Sequence, residues 1–354
     1  MVASARTQAP GTQTFSARIF SACLLHQWQH PNAWQCMLRP LSWLYGSIVW
    51  LRRSVYRLGL FATERLPVPV IVVGNLNVGG SGKTPLAIWI VQQLQASGWQ
   101  AGIVTRGYAG NATSPQSVTS DSDPARVGDE AVLLATRTGV PVWCGRQRAA
   151  AARALLYAHP STQVIVSDDG LQHLSMSRDY SIVVIDSTRG FGNGQLLPAG
   201  PLREPVSRLN DVDAVVINHT GSLHPSLTTI QNSHAMRLIA QPVRNLRYPE
   251  HSIDITELGA RTLHAIAGIG YPQRFFEQLQ QAGMQFTSHA FPDHHAYRAE
   301  ELNFSGDIIM TEKDAVKCLS FATEHMWVWP VAVQVDATLF NDITRLLTSG
   351  AHHG

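Results

Sequence analysis

The stretch 67–85, PVPVIVVGNLNVGGSGKTP, restricts what this chain can fold into more than any other. A β-branched run ends at Gly74, and after a glycine loop comes PLAIWIVQQLQASG, whose apolar spacing and closing Gly98 predict a helix with its stop. Strand, glycine loop and helix in that register turn successive backbone N–H groups toward phosphate oxygens at a helix N-terminus. Gly79, Gly80 and Gly82 free the backbone angles this needs, Lys83 reaches the β and γ phosphates, and Thr84 offers a hydroxyl to Mg²⁺. With Asn77, Val78 and Ser81 they make a binding loop for ATP. A glycine-rich turn followed by a chance lysine does not explain the register. The loop departs from G-x-x-x-x-G-K-[ST] at its first position, where Asn77 stands. Asparagine tolerates left-handed backbone better than most side chains, so the loop survives the departure, and the Gly79-Gly80 pair supplies extra freedom.

Further apolar strands are expected at 101–107, 163–169, 181–186 and 213–218, with helical patterns near 129–138 and 146–158 between them. Near-continuous apolar strands alternating with helices imply an α/β fold, a mostly parallel sheet with helices on both faces. Beyond about 220 a Thr/Ser/Asn/His-rich patch precedes a second alternation that runs through LHAIAGIG, RFFEQLQQAGM, GDIIMTEKDAVKCL and WVWPVAVQV. The expected division is a disordered extension over 1–27, an N-terminal interfacial helix over 28–65, a P-loop NTPase-like domain over 66–220, a linker over 221–260 and a smaller C-terminal α/β lobe over 261–345. A cleft is expected between the lobes.

Composition narrows the partners. A net charge of +2 gives no case for nucleic acid, and no obligate protein partner is evident. Cys23, Cys36, Cys144 and Cys318 are scattered without a C-x-x-C pair, which fits reduced thiols and a chain facing the cytosol. The first two dozen residues lack the apolar core and cleavage site of a secretory signal. The segment 38–61, LRPLSWLYGSIVWLRRSVYRLGLF, mixes Trp43, Tyr45, Trp50 and Tyr56 with Arg39, Arg52, Arg53 and Arg57. Its uncharged run is far shorter than the roughly 20 residues that cross a bilayer. It reads as a helix lying in a headgroup layer, attracted to anionic lipid. The plainer alternative is a helix packed on the protein's own core, its arginines reaching out to water.

Several positions carry chemistry. VIVSDDGLQH ends a strand in Asp168 and Asp169, at the sheet edge where ligands of open α/β sheets bind, and Asp169 is the expected Mg²⁺ ligand beside Thr84. Turn chemistry with Gly170 is the ordinary alternative. Asp129 and Glu130 open a helix, where acidic residues commonly serve only the macrodipole. FPDHHAY offers Asp293, His294 and His295; no second motif supports zinc, whereas a histidine meeting a carboxylate across the cleft would make a general-base pair. GFGNGQLLPAGPLREP is too long for an ordinary connection, and its Arg203 could face a substrate phosphate.

In order along the chain, LRPLSWLYG, PVPVIVVGNLNVGGSGKTP, TRGY, VGDEA, DDGLQH, GFGNGQLLPAGPLREP, FPDHHAY and TEKDAVK resemble one family, the tetraacyldisaccharide 4'-kinases of lipid A biosynthesis in Gram-negative bacteria. The resemblance runs from about Trp28 to Val335. It implies transfer of the γ-phosphate of ATP to the 4'-hydroxyl of a tetraacylated glucosamine disaccharide 1-phosphate, at the cytoplasmic face of the inner membrane. It further implies that Asp129 and His294 deprotonate that hydroxyl, and that Asp168, Asp169, Gln172 and His173 serve magnesium and the active site. Glu130 and Arg203 also fall on motif positions. Either histidine of the pair could be the active one, and His294 is chosen because it follows the aspartate.

Two other classes compete. A membrane-associated P-loop switch, which positions other proteins by timed hydrolysis, typically carries a lysine just before the glycine pair; Val78 stands there, and such a switch needs no D-H-H. A small-metabolite kinase would leave the Arg/Trp segment without a purpose.

Overall fold

The computed structural model describes residue 28 and residues 33–107, 114–259 and 261–350, so the extension expected over 1–27 lies outside the described residues. Residues Ala33–Arg57 form helix α1. The apolar run before the glycine loop becomes β1 (Val70–Gly74), every residue of it buried. Around it form β2 (Ala101–Thr105), β3 (Gln116–Val118), β4 (Val142–Cys144), β5 (Val164–Asp168), β6 (Tyr180–Asp186), β7 (Ala214–Asn218) and β8 (Ser233–Ala240). The spatial order β8-β7-β6-β1-β5-β2-β4 is parallel throughout, and β3 adds an antiparallel edge.

Alternation along β1 sets the two layers. Ile71 and Val73 face α2 (Lys83–Ala96) and α3 (Asp129–Thr138), while Val70 and Val72 face α4 (Arg148–Ala158). On α2 the residues Leu86, Ile90 and Leu94 recur every four positions and are fully buried, each contributing roughly 1.5–3 kcal/mol by leaving water. That stripe fixes the helix axis, and so fixes where the N–H groups of its first turn point.

The second lobe is a six-stranded sheet of β9 (Val243–Asn245), β10 (Ser252–Ile253), β11 (Leu263–Ala267), β12 (Thr287–Ala290), β13 (Asp307–Met310) and β14 (Met326–Val328), ordered β10-β9-β14-β13-β11-β12. Helix α5 (Pro272–Gln281) packs Phe275, Phe276 and Leu279 on one face. Helix α6 (Glu312–Cys318) packs Ala315 and Cys318 on the other.

The division into domains differs from expectation at the C-terminal side. Residues 221–260 are not a linker, since β8 belongs to the large sheet and β9 and β10 to the small one. Nor does the second lobe run to 345. After Trp329 and Pro330 the chain returns as β15 (Val331–Val335), antiparallel to β8 from Val331↔Ala240 to Val335↔Met236. Helix α7 (Ala337–Gly350) then buries Leu339, Ile343 and Leu347 in the first lobe's core. The physical reason is the edge: β8 would otherwise present unpaired backbone groups to solvent. The two crossings between lobes lie together, Gln241 N–H donating to the Pro330 carbonyl at 2.9 Å.

Helix α1 inverts the usual arrangement of an amphipathic helix. Its small and polar side faces the protein: Ser42 Oγ donates to the Leu196 carbonyl at 2.9 Å, Tyr45 Oη to the Arg203 carbonyl at 3.0 Å, and Arg57 pairs with Asp211 at 2.9 Å. Its apolar side, Met37, Leu41, Trp43, Leu44, Ile48, Trp50 and Leu51, is exposed. Among the described residues no helix is long and apolar enough to cross a membrane.

Candidate active site

The glycine loop leaves β1 at the sheet's carboxyl edge and enters α2. Gly79 and Gly82 take the positive φ that side chains resist, at 99° and 98°. Asn77 makes no use of the left-handed backbone that asparagine tolerates: it pairs with Leu202 as an isolated bridge, and its side-chain amide donates to the Gly190 carbonyl at 2.7 Å. It therefore ties the loop to the 190–205 segment, and the turning falls to Gly79. The loop's carbonyls are held from outside. Asn75 Nδ2 donates to Gly79 O at 3.1 Å, Arg189 to Gly80 O, and Asn218 Nδ2 to Ser81 O at 3.0 Å. With the carbonyls pulled outward, the amides at the start of α2 have no helical acceptor and face the anion position.

Lys83 and Thr84, in the first turn of α2, meet the two aspartates after β5. Thr84 Oγ1 donates to Asp168 Oδ2 at 3.0 Å, and Lys83 Nζ stands 3.4 Å from Asp169 Oδ1. Arg203 Nη1 lies 3.5 Å from Asp169 Oδ2. The pair thus divides its partners, a hydroxyl for Asp168 and two cations for Asp169. Asp169 adopts φ 50°, a conformation non-glycine residues hold only when their surroundings dictate it. Burial, helped by the Glu130 and Asp169 charges, pushes the Asp168 carboxyl up to about 7. Burial would raise Asp169 as well, but Lys83 and Arg203 hold it below the ordinary carboxylate range. Asp168 Oδ1 is buried without a hydrogen-bond donor, and Asp169 Oδ1 has the Lys83 ammonium at 3.4 Å. A buried, orphaned Asp168 oxygen beside a second carboxylate and a threonine hydroxyl forms an all-oxygen donor set suited to Mg²⁺.

Behind this pair Arg148 is fully buried with one hydrogen bond, to the Gly145 carbonyl at 2.8 Å, and burial lowers its guanidinium to about 10. Burial first, and then the Arg148 and Arg106 charges, bring His173 down to about 4, so its ring is neutral near pH 7. Gln172 turns away from the loop's anion position and donates to the Asn75 carbonyl at 3.0 Å, which steadies the exit of β1.

The second lobe supplies the opposite wall. His294 Nδ1 lies 2.9 Å and 3.0 Å from the two carboxylate oxygens of Asp129, at the N-terminus of α3. Asp129 is 3% exposed, and Lys317 Nζ is 3.8 Å from its Oδ2. Burial alone would raise this carboxyl, but the hydrogen bond to His294 and the Lys313 and Lys317 charges hold it below the usual range. His294 itself sits at φ 59°. Its loop is set by buried Asp314, which accepts from Gly268 N at 3.1 Å, from Tyr297 Oη at 3.0 Å and from Thr311 Oγ1 at 2.7 Å. His295 turns elsewhere, bonding Glu301 at 3.1 Å. A Cβ added to Gly270 would stand 3.3 Å from Asp293 Oδ2 and 3.8 Å from Gly80 N, which measures how near the D-H pair comes to the phosphate loop.

Four residues of this cleft escaped sequence reasoning. Lys313 Nζ bonds Glu130 Oε1 and Asp293 Oδ1, each at 3.1 Å. Lys317 supports Asp129, while Arg189 and Asn218 brace the loop. The available signal for the lysines was TEKDAVK, whose Lys313 and Lys317 at i,i+4 share one helix face.

Residues 34–348 match the family described as LpxK, tetraacyldisaccharide-1-P 4'-kinase. A protein of Methylobacillus flagellatus named tetraacyldisaccharide 4'-kinase is 50% identical over 331 residues, covering 93% of this chain and 97% of the relative. One of the same name from Azoarcus sp. is 47% identical, covering 91% and 95%. The crystal structure of Aquifex aeolicus LpxK in complex with ATP superposes with a TM-score of 0.74 at 26% identity, covering 88% of this chain and 99% of that one. With relatives of that identity along nearly its whole length, the chain belongs to the tetraacyldisaccharide-1-phosphate 4'-kinase family.

Proposed function

We propose that the chain transfers the γ-phosphate of ATP to the 4'-hydroxyl of a tetraacylated glucosamine disaccharide 1-phosphate, giving the 1,4'-bisphosphorylated lipid A precursor, and that it does so on the cytoplasmic surface of the inner membrane. One observation carries the chemical part: the 2.9 Å contact between His294 Nδ1 and Asp129, made across the cleft beside the phosphate loop. A carboxylate can only accept, so the neutral ring carries its proton on Nδ1 and keeps the Nε2 lone pair for the acceptor hydroxyl. As the sugar oxygen bonds to the γ-phosphorus, its proton passes to Nε2, the bond to the β–γ bridging oxygen breaks, and ADP leaves. Asp129, kept ionised, stabilises the imidazolium that forms.

Phosphoryl transfer through a loose transition state asks chiefly for alignment and neutralised charge. Lys83 and the amides of Asn77, Gly79, Gly80, Ser81 and Gly82 serve the phosphates in this reading, while Val78, whose N–H donates to the Pro201 carbonyl at 2.9 Å, braces the loop beside them. Thr84 and the Asp168–Asp169 pair would hold Mg²⁺, which supplies charge neutralisation on the β and γ phosphates. The Thr84–Asp168 hydrogen bond favours Asp168 as the nearer carboxylate, with Asp169, the ligand favoured from sequence, beside it. Glu130 orders Lys313, and Arg203 offsets the charge of Asp169 and stands ready for substrate phosphate. Gln172 steadies the exit of β1, and the buried His173 stands behind the aspartate pair beside the Arg148 charge.

The exposed apolar side of α1 supports the membrane part. A helix that turns Ser42 and Tyr45 inward and Trp43 and Trp50 outward is not packed on its own core; it suits an interface with lipid. The same Tyr45 bond to the Arg203 carbonyl links that helix to the phosphate end of the cleft. The decisive variant is Asp129→Ala, assayed for lipid phosphorylation and, separately, for ATP affinity. Transfer is expected to fall by roughly 10²- to 10⁴-fold with ATP affinity nearly unchanged. Equal loss of both would mean that Asp129 serves the nucleotide and not the acceptor.

A further inference from the structure

Lys313 lies at the second position of α6, its side chain 16% exposed. Two of its ammonium hydrogens point to Glu130 Oε1 and Asp293 Oδ1 at 3.1 Å each, and Nζ stands 3.4 Å from His294 Nε2. That nitrogen is the one assigned above to the acceptor hydroxyl.

We propose that Lys313 is a positioning residue for the base: anchored by Glu130 and Asp293, its ammonium holds a donor against His294 Nε2 in the free enzyme, keeps that nitrogen unprotonated, and gives up the position to the acceptor hydroxyl. The proposal rests on His294 being the base.

The geometry constrains the ring from both sides. Asp129 offers only acceptors to Nδ1, and an ammonium offers only donors to Nε2. Both demands are met by one tautomer, the neutral ring with its proton on Nδ1. The opposite tautomer would set a carboxylate against a lone pair and an ammonium against an N–H. Charged groups face the ring from both lobes. Asp129 lies on the Nδ1 side with Lys317 behind it, Asp293 stands 3.7 Å from Nε2, and Glu130 acts through Lys313. Burial works against the charge of Lys313, but the Glu130, Asp129 and Asp293 carboxylates outweigh it and raise the ammonium well above its ordinary value. Lys313 is therefore a fixed cation that cannot itself take the hydroxyl's proton. The partly exposed partners Glu130 and Asp293 make these ion pairs a small part of fold stability. Their use is to aim the third hydrogen.

The test uses the full-length protein with radiolabelled ATP and disaccharide 1-phosphate lipid in mixed micelles, comparing Lys313→Met, Lys313→Arg, His294→Ala and the Lys313→Met/His294→Ala double variant. Lys313→Met should lower kcat by roughly 10- to 100-fold, leave the KM for ATP within about twofold, and leave residual transfer of the double variant within about twofold of His294→Ala alone. Lys313→Arg, which keeps charge and donors, should recover part of the loss. A double variant slower than His294→Ala by the full Lys313→Met factor, or an arginine variant as slow as methionine, overturns the proposal while His294 stays the base. A His294→Ala enzyme that keeps full activity removes the parent reading instead. As a check that needs no variant to fold, ¹⁵N-histidine spectra of the unliganded protein should show His294 with Nδ1 protonated and Nε2 bare; a proton on Nε2 overturns the proposal.

Discussion

Replacing Trp43, Leu44, Trp50 and Leu51 of α1 by serine should release the protein from lipid without touching the catalytic cleft. These side chains are 69%, 59%, 69% and 57% exposed, so most of their apolar surface is free to enter a membrane. Full burial of such a side chain is worth roughly 1.5–3 kcal/mol, so the exposed share is roughly 1–2 kcal/mol each. If half of that surface enters the headgroup and acyl boundary, the four together contribute roughly 2–4 kcal/mol. The partition coefficient should then fall by roughly 30- to 1,000-fold. The inward contacts of Ser42 and Tyr45 remain, so the fold and ATP affinity should hold. The assay is co-sedimentation with vesicles of phosphatidylethanolamine and phosphatidylglycerol, paired with transfer rates on lipid in vesicles and on lipid in detergent micelles. Bound fraction and vesicle rate should fall together, and the micelle rate much less. Undiminished sedimentation would refute the inverted-helix reasoning.

Two further outcomes test the scaffold. His173, brought to about 4 mainly by burial, binds fewer protons folded than unfolded between about pH 4 and its unfolded value of about 6.5; it therefore removes stability as pH falls through that window, and melting temperatures of His173→Gln should fall less steeply from pH 6.5 to 4 than those of the parent. An identical slope would contradict the burial-driven shift. Leu94, fully buried under the sheet, should cost about 2–5 kcal/mol when cut to alanine, roughly 3–7 °C in melting temperature; an unchanged melt would mean that α2 is not held by its apolar stripe.

The first lobe was legible because its signals are local. A strand buried on both faces must be apolar throughout, and β1, β5, β6 and β7 all read that way in the sequence. Helix α3 begins at Asp129 and ends at Thr138, the limits its periodicity gives. The return of β15 was hidden because WVWPVAVQV reads as one run, and its pairing with β8 is set by an open edge about 90 residues earlier, which no local pattern records. Asn77 shows the same limit in the site: its spacing marked it as a tolerated replacement for glycine, and nothing local records that its amide bonds the Gly190 carbonyl. Asp129 and His294 could be singled out as a pair only through the family pattern, since 165 residues separate them. Lys313 was hidden for a different reason. A lysine at the start of an amphipathic helix looks like a solvated charge; the fold of its own lobe brings Asp293 and His294 to it, and the docking of that lobe on α3 adds Glu130.

The central claim, that this site moves phosphate from ATP to a lipid sugar, is tested most directly by following the labelled γ-phosphate. The protein is incubated with γ-labelled ATP, Mg²⁺ and tetraacyldisaccharide 1-phosphate, and the product is examined by ³¹P NMR. The account predicts label in the lipid as a second phosphate monoester on the 4' carbon, one per ADP formed. Label appearing as free phosphate, with the lipid unchanged, would contradict it.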